Sequence, residues 1–176
     1  LINILAAIIV VASGITIKFI TNPFGDGIVN LDALFISFFF FSLPLSDILS
    51  VIWLIWIMNM VNWSKGVDGQ MPGIVAISAI FIGILSLRLA GSGTTMDAEL
   101  SFMIAGSAAG FLLYNFHPAK IFPGYGATSI YLLLGVVSIL SSAKLATAIL
   151  VMGVPTVDAL FTILRRALNK RSPFTG

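Results

Sequence analysis

Long apolar stretches with almost no charged residues constrain the fold of this chain more than any other feature. Of its 176 residues, 59% are hydrophobic and only 9% are charged, and the mean hydropathy is +1.09. Soluble domains carry roughly 25% charged residues, so a water-soluble globule is excluded. Backbone groups inside a bilayer must be paired within the protein, and the stretches lack the strict alternation of a membrane barrel. The sequence therefore predicts an all-α polytopic membrane protein.

Six of the apolar stretches approach the length of about 20 residues that a helix needs to cross the bilayer core. The transmembrane helices are expected near residues 1–20, 46–63, 72–90, 98–116, 127–141 and 143–164. The last two are divided at Ser141-Ser142, because together they are too long for one span. We expect residues 1–176 to form a single transmembrane domain. Because Leu1 already lies in an apolar run, we also expect the chain to be a fragment of a longer protein.

The apolar segment 16–41 differs from a simple span. It begins with alternating residues around Lys18, continues through turn residues from Asn22 to Gly27, and resumes with apolar residues up to Asp32. This order predicts a short extracytoplasmic β-hairpin, with phenylalanines 38–41 at the membrane interface or packed on the hairpin. A seventh span in this segment is the alternative.

Charge and ligand chemistry exclude several classes of protein. Nine Lys and Arg residues against seven Asp and Glu are too few for the basic face of a nucleic-acid-binding protein. The absence of cysteine excludes disulfides, thiolate catalysis and cysteine-based zinc sites. The single histidine, His117, is too little for a His-rich metal centre.

The distribution of basic residues predicts the orientation, since short cytoplasmic loops are enriched in Lys and Arg. Six spans place both termini on one face. That face carries Lys65, Lys120, Arg165, Arg166, Lys170 and Arg171, and the other carries Lys18, Arg88 and Lys144. We therefore expect a multi-pass protein of the plasma (inner) membrane with both termini in the cytoplasm.

Two loops on the expected cytoplasmic face are rich in polar residues. The first, residues 59–73, contains Asn59, Asn62, Lys65 and Asp68 among glycines that permit tight turns. An ordinary loop after an Asn-capped helix end is the alternative interpretation. The second, residues 114–128, contains Asn115, His117, Lys120 and Gly124, and it ends at a helix start whose backbone N–H groups suit an anion. Together the loops predict a phosphate-bearing substrate and a hard cation bound by Asp and Asn oxygens.

Both loops resemble the polyprenyl-phosphate N-acetylhexosamine-1-phosphate transferases, a superfamily often filed as glycosyltransferase family 4. The family's Asn-x-x-Asn-x-x-Asp-Gly-x-Asp-Gly loop is similar to Asn59 to Gly69. Its Phe-Asn-x-x-Pro-Ala-x-x-Phe-x-Gly-Asp-x-Gly-Ser loop is similar to Tyr114 to Thr128. Weaker likenesses at residues 22–25 and 158–174 extend the resemblance over nearly the whole chain.

The resemblance implies a phosphotransferase of the EC 2.7.8 type that acts in cell-envelope glycan synthesis. A polyprenyl phosphate attacks the β-phosphate of a UDP-amino sugar, giving a polyprenyl-diphospho-sugar and UMP, with Mg²⁺ and aspartates stabilising the phosphate charge. Asn62 and Asp68 are implied to hold the nucleotide sugar or the metal ion. Asn59 is implied to brace the loop, and Gly124 to let the backbone approach the nucleotide. The candidate substrate-binding set is Asn59, Asn62, Asn115, His117, Lys120 and Gly124. His117 remains open between a phosphate contact or general base and an interface residue.

Two positions depart from the family pattern and argue against Mg²⁺. Lys65 stands where the first loop of the family has an Asp, and Tyr125 stands where the second loop has its metal-binding Asp. A phenol is neutral at neutral pH and is a poor Mg²⁺ ligand. Because the surrounding motif is retained, our hypothesis is an altered site with Lys65, Asp68 and Tyr125 as the candidate catalytic residues. Lys65 would then neutralise phosphate charge.

Three alternatives remain open at this stage. The chain is either such an enzyme, a non-catalytic relative, or a polytopic transporter or lipid-handling protein. A transporter would place polar groups near the middle of the membrane, where this sequence offers only Asp158. That residue is a functional candidate or a structural partner of Arg165. Whether the protein forms a homodimer is also open.

Overall fold

Helices make up most of the described chain. The structure is a computed structural model, and it describes residues 2–22, 25–38, 41–89, 95–141 and 152–169. In chain order the elements are α1 (Ile2–Ala12), β1 (Phe19–Thr21), β2 (Ile28–Asn30), β3 (Phe35–Phe38), β4 (Phe41–Pro44), α2 (Leu45–Trp63), α3 (Gln70–Leu89), α4 (Met96–Asn115), α5 (Thr128–Leu140) and α6 (Gly153–Leu168). The short 3₁₀ turn Ser64–Gly66 directly follows α2, and a second one, Tyr125–Ala127, directly precedes α5.

Three of the described helices are long and apolar enough to cross a membrane. They are α2 with its 3₁₀ turn, α3 and α4, at 22, 20 and 20 residues. These three match the spans predicted at 46–63, 72–90 and 98–116. The apolar helices α1 and α5 are shorter, at 11 and 13 residues. The chain is therefore suited to membrane association, and the full count of six spans stays a prediction.

The first predicted span was drawn too long as a helix. α1 ends at Ala12 and not near residue 20, because Gly14 adopts a φ of +95°. Ser13 and Gly14 donate their backbone N–H groups to carbonyls of the last turn, at 3.1 and 2.9 Å. A left-handed glycine of this kind closes a helix and redirects the chain. Residues 15–18 then lead directly into β1.

Two antiparallel strand pairs follow α1. In the first, Phe19 pairs with Asn30 and Thr21 with Ile28, which confirms the strand pairing predicted across the turn-rich segment. In the second, Phe35 pairs with Pro44, a pairing that the sequence analysis missed. The ends of the phenylalanine run, residues 38 and 41, belong to β3 and β4. The location of this run, at the membrane interface or packed on the first hairpin, stays a prediction. The extracytoplasmic location of these strands stays a prediction.

The core lies where α2, α3, α4 and α5 pack together. α3 and α4 make the most extensive helix pair, and α2 contacts both α1 and α5. The indole N–H of Trp53 donates to Oγ of Ser138 at 2.9 Å and ties α2 to α5. Gly135 allows this approach, since a Cβ there would lie 2.9 Å from Cδ2 of Leu54. The tight packing holds the loops at the ends of these helices in fixed positions.

α6 overlaps the second half of the region predicted as the sixth span, 143–164, and continues to Leu168. Residues 142–151, which include Lys144, lie outside the described residues. α6 begins at Gly153, so Pro155 occupies its first turn, where the missing N–H breaks no helical bond and no kink results. Asp158 and Arg165 are both exposed, and no ion pair joins them in the part of the chain that the structure describes.

Candidate active site

The turn between α2 and α3, residues 64–69, is shaped by local hydrogen bonds and by one glycine in the left-handed backbone region. Ser64 donates its hydroxyl to the carbonyl of Val61 at 2.7 Å, which continues the end of α2 into the 3₁₀ turn. Gly69 has a φ of +75°, a conformation that side chains rarely permit. A Cβ at this position would also lie 3.4 Å from Leu112 and 3.5 Å from Phe116. These are ordinary contact distances, so the positive φ is what favours glycine in this turn.

Asn115, the last residue of α4, joins this turn to the loop between α4 and α5, residues 116–127. Its side chain is 3% exposed. Its Oδ1 accepts the N–H of Gly69 at 3.0 Å, and its Nδ2 donates to the carbonyl of Ile121 at 2.8 Å. Both polar atoms of the predicted substrate-binding residue Asn115 are thus engaged within the protein. In this structure Asn115 positions the two loops.

Asp68 makes the second link between the loops. Its Oδ2 accepts the N–H of Ala119 at 3.1 Å and lies 3.0 Å from Nδ1 of His117. Because a carboxylate only accepts hydrogen bonds, we assign the proton of this contact to Nδ1. Asp68 is 27% exposed and His117 is 82% exposed. The arrangement fixes the imidazole while Nε2 stays accessible.

Lys65 and Tyr125 make the third link. The ammonium of Lys65 lies 5.9 Å from the centroid of the Tyr125 ring. This distance falls within the range of a cation–π interaction, worth about 0.5–1 kcal/mol at an exposed site. Tyr125 is 96% exposed, and Lys65 is exposed as well. Two of the three candidate catalytic residues are therefore in contact with each other.

The three links run in opposite directions along the two loops. The pairs are Lys65 with Tyr125, Asp68 with His117, and Gly69 with Asn115. Residue numbers therefore increase along the first loop while those of their partners decrease, as in an antiparallel arrangement. The expectation that both loops lie together is thus confirmed in their geometry. The roles assigned to the residues remain predictions.

The other predicted residues make fewer contacts. Nδ2 of Asn59 donates a hydrogen bond to the carbonyl of Ile55, in the same helix, at 2.8 Å. Asn62 is half-buried, and its side chain makes no hydrogen bond within the described residues. Lys120 is exposed and donates its backbone N–H to the carbonyl of Tyr114 at 2.8 Å. The geometry therefore groups the site around Lys65, Asp68, Asn115, His117 and Tyr125.

Two backbone donors at the start of α5, the predicted anion-binding helix end, have partners within the protein. The N–H of Ala127 donates to the carbonyl of Gly124 at 3.1 Å, and the N–H of Thr128 turns to carbonyls of the 3₁₀ turn. These two donors are used within the loop. Charged side chains are therefore the stronger candidates for holding an anion at this site.

An apolar cavity of about 250 Å³ adjoins the second loop, and sequence reasoning missed it. Its walls come from the start of α3, from α4, from Gly124 and from α5. Tyr131 lines it, is 1% exposed, and has a hydroxyl without a hydrogen-bond partner among the described residues. No motif signals such a cavity, since its walls are scattered over three helices and a loop.

Comparison with known proteins identifies the family. Residues 1–142 match the family model described as glycosyl transferase family 4. The chain belongs to glycosyl transferase family 4. The resemblance seen in the two loops is thereby confirmed.

Named relatives of this family 4 chain are longer than it is. A probable undecaprenyl-phosphate N-acetylglucosaminyl 1-phosphate transferase of Bacillus subtilis (strain 168) is 33% identical, over 97% of this chain and 46% of the relative. A decaprenyl-phosphate N-acetylglucosaminephosphotransferase of Mycolicibacterium smegmatis is 30% identical, over 98% and 46%. A phospho-N-acetylmuramoyl-pentapeptide-transferase of Moorella thermoacetica is 34% identical, over 67% and 36%. The chain thus spans less than half the length of these relatives.

The described residues of this family 4 chain do not fit the Mg²⁺ site that the resemblance implies. No group of three His, Cys, Asp or Glu side chains in the described ranges lies close enough to hold a metal ion. Oδ2 of Asp68 already accepts the N–H of Ala119. Tyr125 occupies the position of the family's metal-binding Asp, and the ammonium of Lys65 lies next to its ring. A fixed positive charge repels a second cation, so this junction disfavours Mg²⁺.

Proposed function

We propose that the protein transfers a sugar-1-phosphate from a UDP-amino sugar to a polyprenyl phosphate at the cytoplasmic face of the plasma membrane. Family membership supports a transferase, and two of the relatives are named for undecaprenyl phosphate or decaprenyl phosphate and for N-acetylglucosamine phosphate. The observation that carries the proposal is the link of Asp68 in one family motif to His117 in the other, at 3.0 Å. It brings both motifs into one accessible site.

The reaction exchanges one phosphoanhydride bond for another, while the ester bond between the sugar and its phosphate is kept. An oxygen of the polyprenyl phosphate attacks the β-phosphorus of the nucleotide sugar, and the bond from that phosphorus to the bridging oxygen breaks, so that UMP leaves. Positive charge beside the diphosphate stabilises this charge-rich transition state. Lys65 supplies it from the first loop, and Lys120 supplies a second cation from the other loop.

His117 and Asp68 act together in this proposal. The carboxylate holds the imidazole through Nδ1, which leaves Nε2 to bind a phosphate oxygen or to carry a proton. Asn62 and Gly124 border the linked loops and are assigned to the nucleotide. The apolar cavity next to Gly124 suits hydrocarbon, which supports a lipid acceptor near this loop.

A non-catalytic member of the family is the second candidate function. The observation that favours it is the pairing of Tyr125 with Lys65, where the resemblance implies two aspartates. Such a protein would bind a nucleotide sugar without releasing UMP. The two candidates therefore differ in one measurable product.

The test is UMP release by the full-length protein in detergent, supplied with undecaprenyl phosphate and UDP-N-acetylglucosamine. We expect UMP to appear only when both substrates are present, and a variant His117→Ala to release it more slowly. Glu99→Gln is the matched control, since Glu99 is exposed in the first turn of α4, at the opposite end of that helix from the site. If no UDP-amino sugar in a panel gives substrate-dependent UMP release, the transferase function is contradicted and the second candidate is favoured.

A further inference from the structure

The two linked loops form a cationic surface. Lys65, Lys120 and His117 lie on it as exposed nitrogen-bearing side chains. The carboxylate among the site residues, Asp68, accepts from Ala119 and contacts His117, so its charge is directed to those groups. An anion that approaches the loops therefore meets positive charge without first displacing a carboxylate.

Lys65 is held in a way that keeps its charge available. Its partner is the ring of Tyr125, and no carboxylate of the described chain lies within 4.0 Å of the ammonium. A ring attracts a cation through its face and takes up none of the N–H donors as a carboxylate would. An ammonium has three donors and forms a compact point charge. Lys65 is therefore positioned by its contact and still able to bind phosphate oxygens.

The same position is unfavourable for a divalent cation. A metal ion at this junction would meet the ammonium of Lys65 and the neutral phenol of Tyr125, and neither is a suitable Mg²⁺ ligand. A phosphate, in contrast, gains charge-assisted hydrogen bonds from an ammonium. The chemistry of the pair thus selects an anion over a cation.

We propose that Lys65, steadied against the ring of Tyr125, binds the diphosphate of the nucleotide directly, and that this binding needs no divalent cation. The inference rests on the proposed function, because it assigns the diphosphate-binding group of that same site. It concerns binding, so it can be tested apart from transfer.

The experiment measures UDP binding to the full-length protein in detergent, by calorimetry, once with Mg²⁺ and once with excess EDTA. We expect the two Kd values to agree within about twofold. Lys65→Ala should weaken binding by about tenfold or more in both buffers, because it removes charged hydrogen bonds to the ligand. Arg88→Ala, at the far end of α3, is the control and should bind as the unchanged protein does.

Variants at Tyr125 separate the ring from the hydroxyl. Tyr125→Phe keeps the ring, and its Kd for UDP should lie within about threefold of that of the unchanged protein. Tyr125→Leu removes the ring and should have a higher Kd for UDP than Tyr125→Phe. The double variant Lys65→Asp, Tyr125→Asp introduces two carboxylates and should bind UDP only when Mg²⁺ is present. A gain of Mg²⁺ dependence would show that the junction still lies at the diphosphate.

The outcomes distinguish this inference from the proposed function. UDP binding that disappears in EDTA and returns with Mg²⁺ would overturn the inference while transfer could continue. Binding that survives EDTA in a protein that never releases UMP would keep the inference and overturn the transferase. Undetectable UDP binding in both buffers would overturn the inference as well.

Discussion

Nδ1 of His117 lies 3.0 Å from Oδ2 of Asp68, which comes 49 positions earlier in the chain. The contact joins a turn at the end of α2 to a loop at the end of α4. It also orients an imidazole whose other nitrogen is accessible. A ligand that reaches this nitrogen therefore meets both loops at once.

Replacing Asp68 by Asn should lower UMP release by at least about tenfold. The amide keeps the shape of the side chain but removes the charge that strengthens both hydrogen bonds to Oδ2. The imidazole then loses its fixed orientation. Initial rates at saturating substrates are the measurement, and Asp32→Asn on the exposed segment after β2 is the charge-matched control. Equal rates of UMP release for Asp68→Asn and the unchanged protein would show that the pair of Asp68 and His117 is not part of the active site.

Replacing Asn115 by Ala should lower the free energy of unfolding by about 2 kcal/mol. The change leaves the N–H of Gly69 and the carbonyl of Ile121 without their partner at a position that is 3% exposed. Unfolding in a denaturing detergent titration measures it. Asn59→Ala is the comparison, because its amide donates to a carbonyl of its own helix, and it should cost less than half as much. A cost for Asn115→Ala no larger than for Asn59→Ala would contradict the positioning role.

Replacing Gly69 by Ala should also destabilise the protein, by about 1–2 kcal/mol. A residue with a Cβ is strained at a φ of +75°, although the Cβ itself would make only ordinary contacts with Leu112 and Phe116. Gly66 lies three residues earlier in the same turn, with open space around its Cβ position. Gly66→Ala should therefore be close to neutral in the same titration. If both substitutions behave alike, the positive φ at position 69 does not require glycine.

The features that could be predicted from the sequence are those set by residues close together in the chain. The three long helices follow from runs of apolar residues, and the pairing of β1 with β2 follows from turn residues between alternating segments. The two motif loops were recognised by their spacing, and their residues 65–69 and 115–125 do meet in space. Each of these signals lies within a window of a few tens of residues.

Features that depend on three-dimensional contact were beyond sequence reasoning. Asn115 has the chemistry of a ligand-binding residue, and only its neighbours reveal that both its polar atoms are already used. The phenylalanines near residue 38 suit a membrane interface and a strand equally, since aromatic residues favour both. The early end of α1 depends on one backbone angle at Gly14. In each case several arrangements satisfied the same sequence, and packing selected one.

The opposed order of the loop contacts has a consequence for the evolution of related sequences. Lys65 and Tyr125 touch each other although 59 residues separate them in the numbering, so a mutation at either position changes the surroundings of the other. Selection should therefore act on the two positions as a pair. Homologues with a basic residue at the first should carry an aromatic residue at the second, and homologues with an acid at one should carry an acid at both.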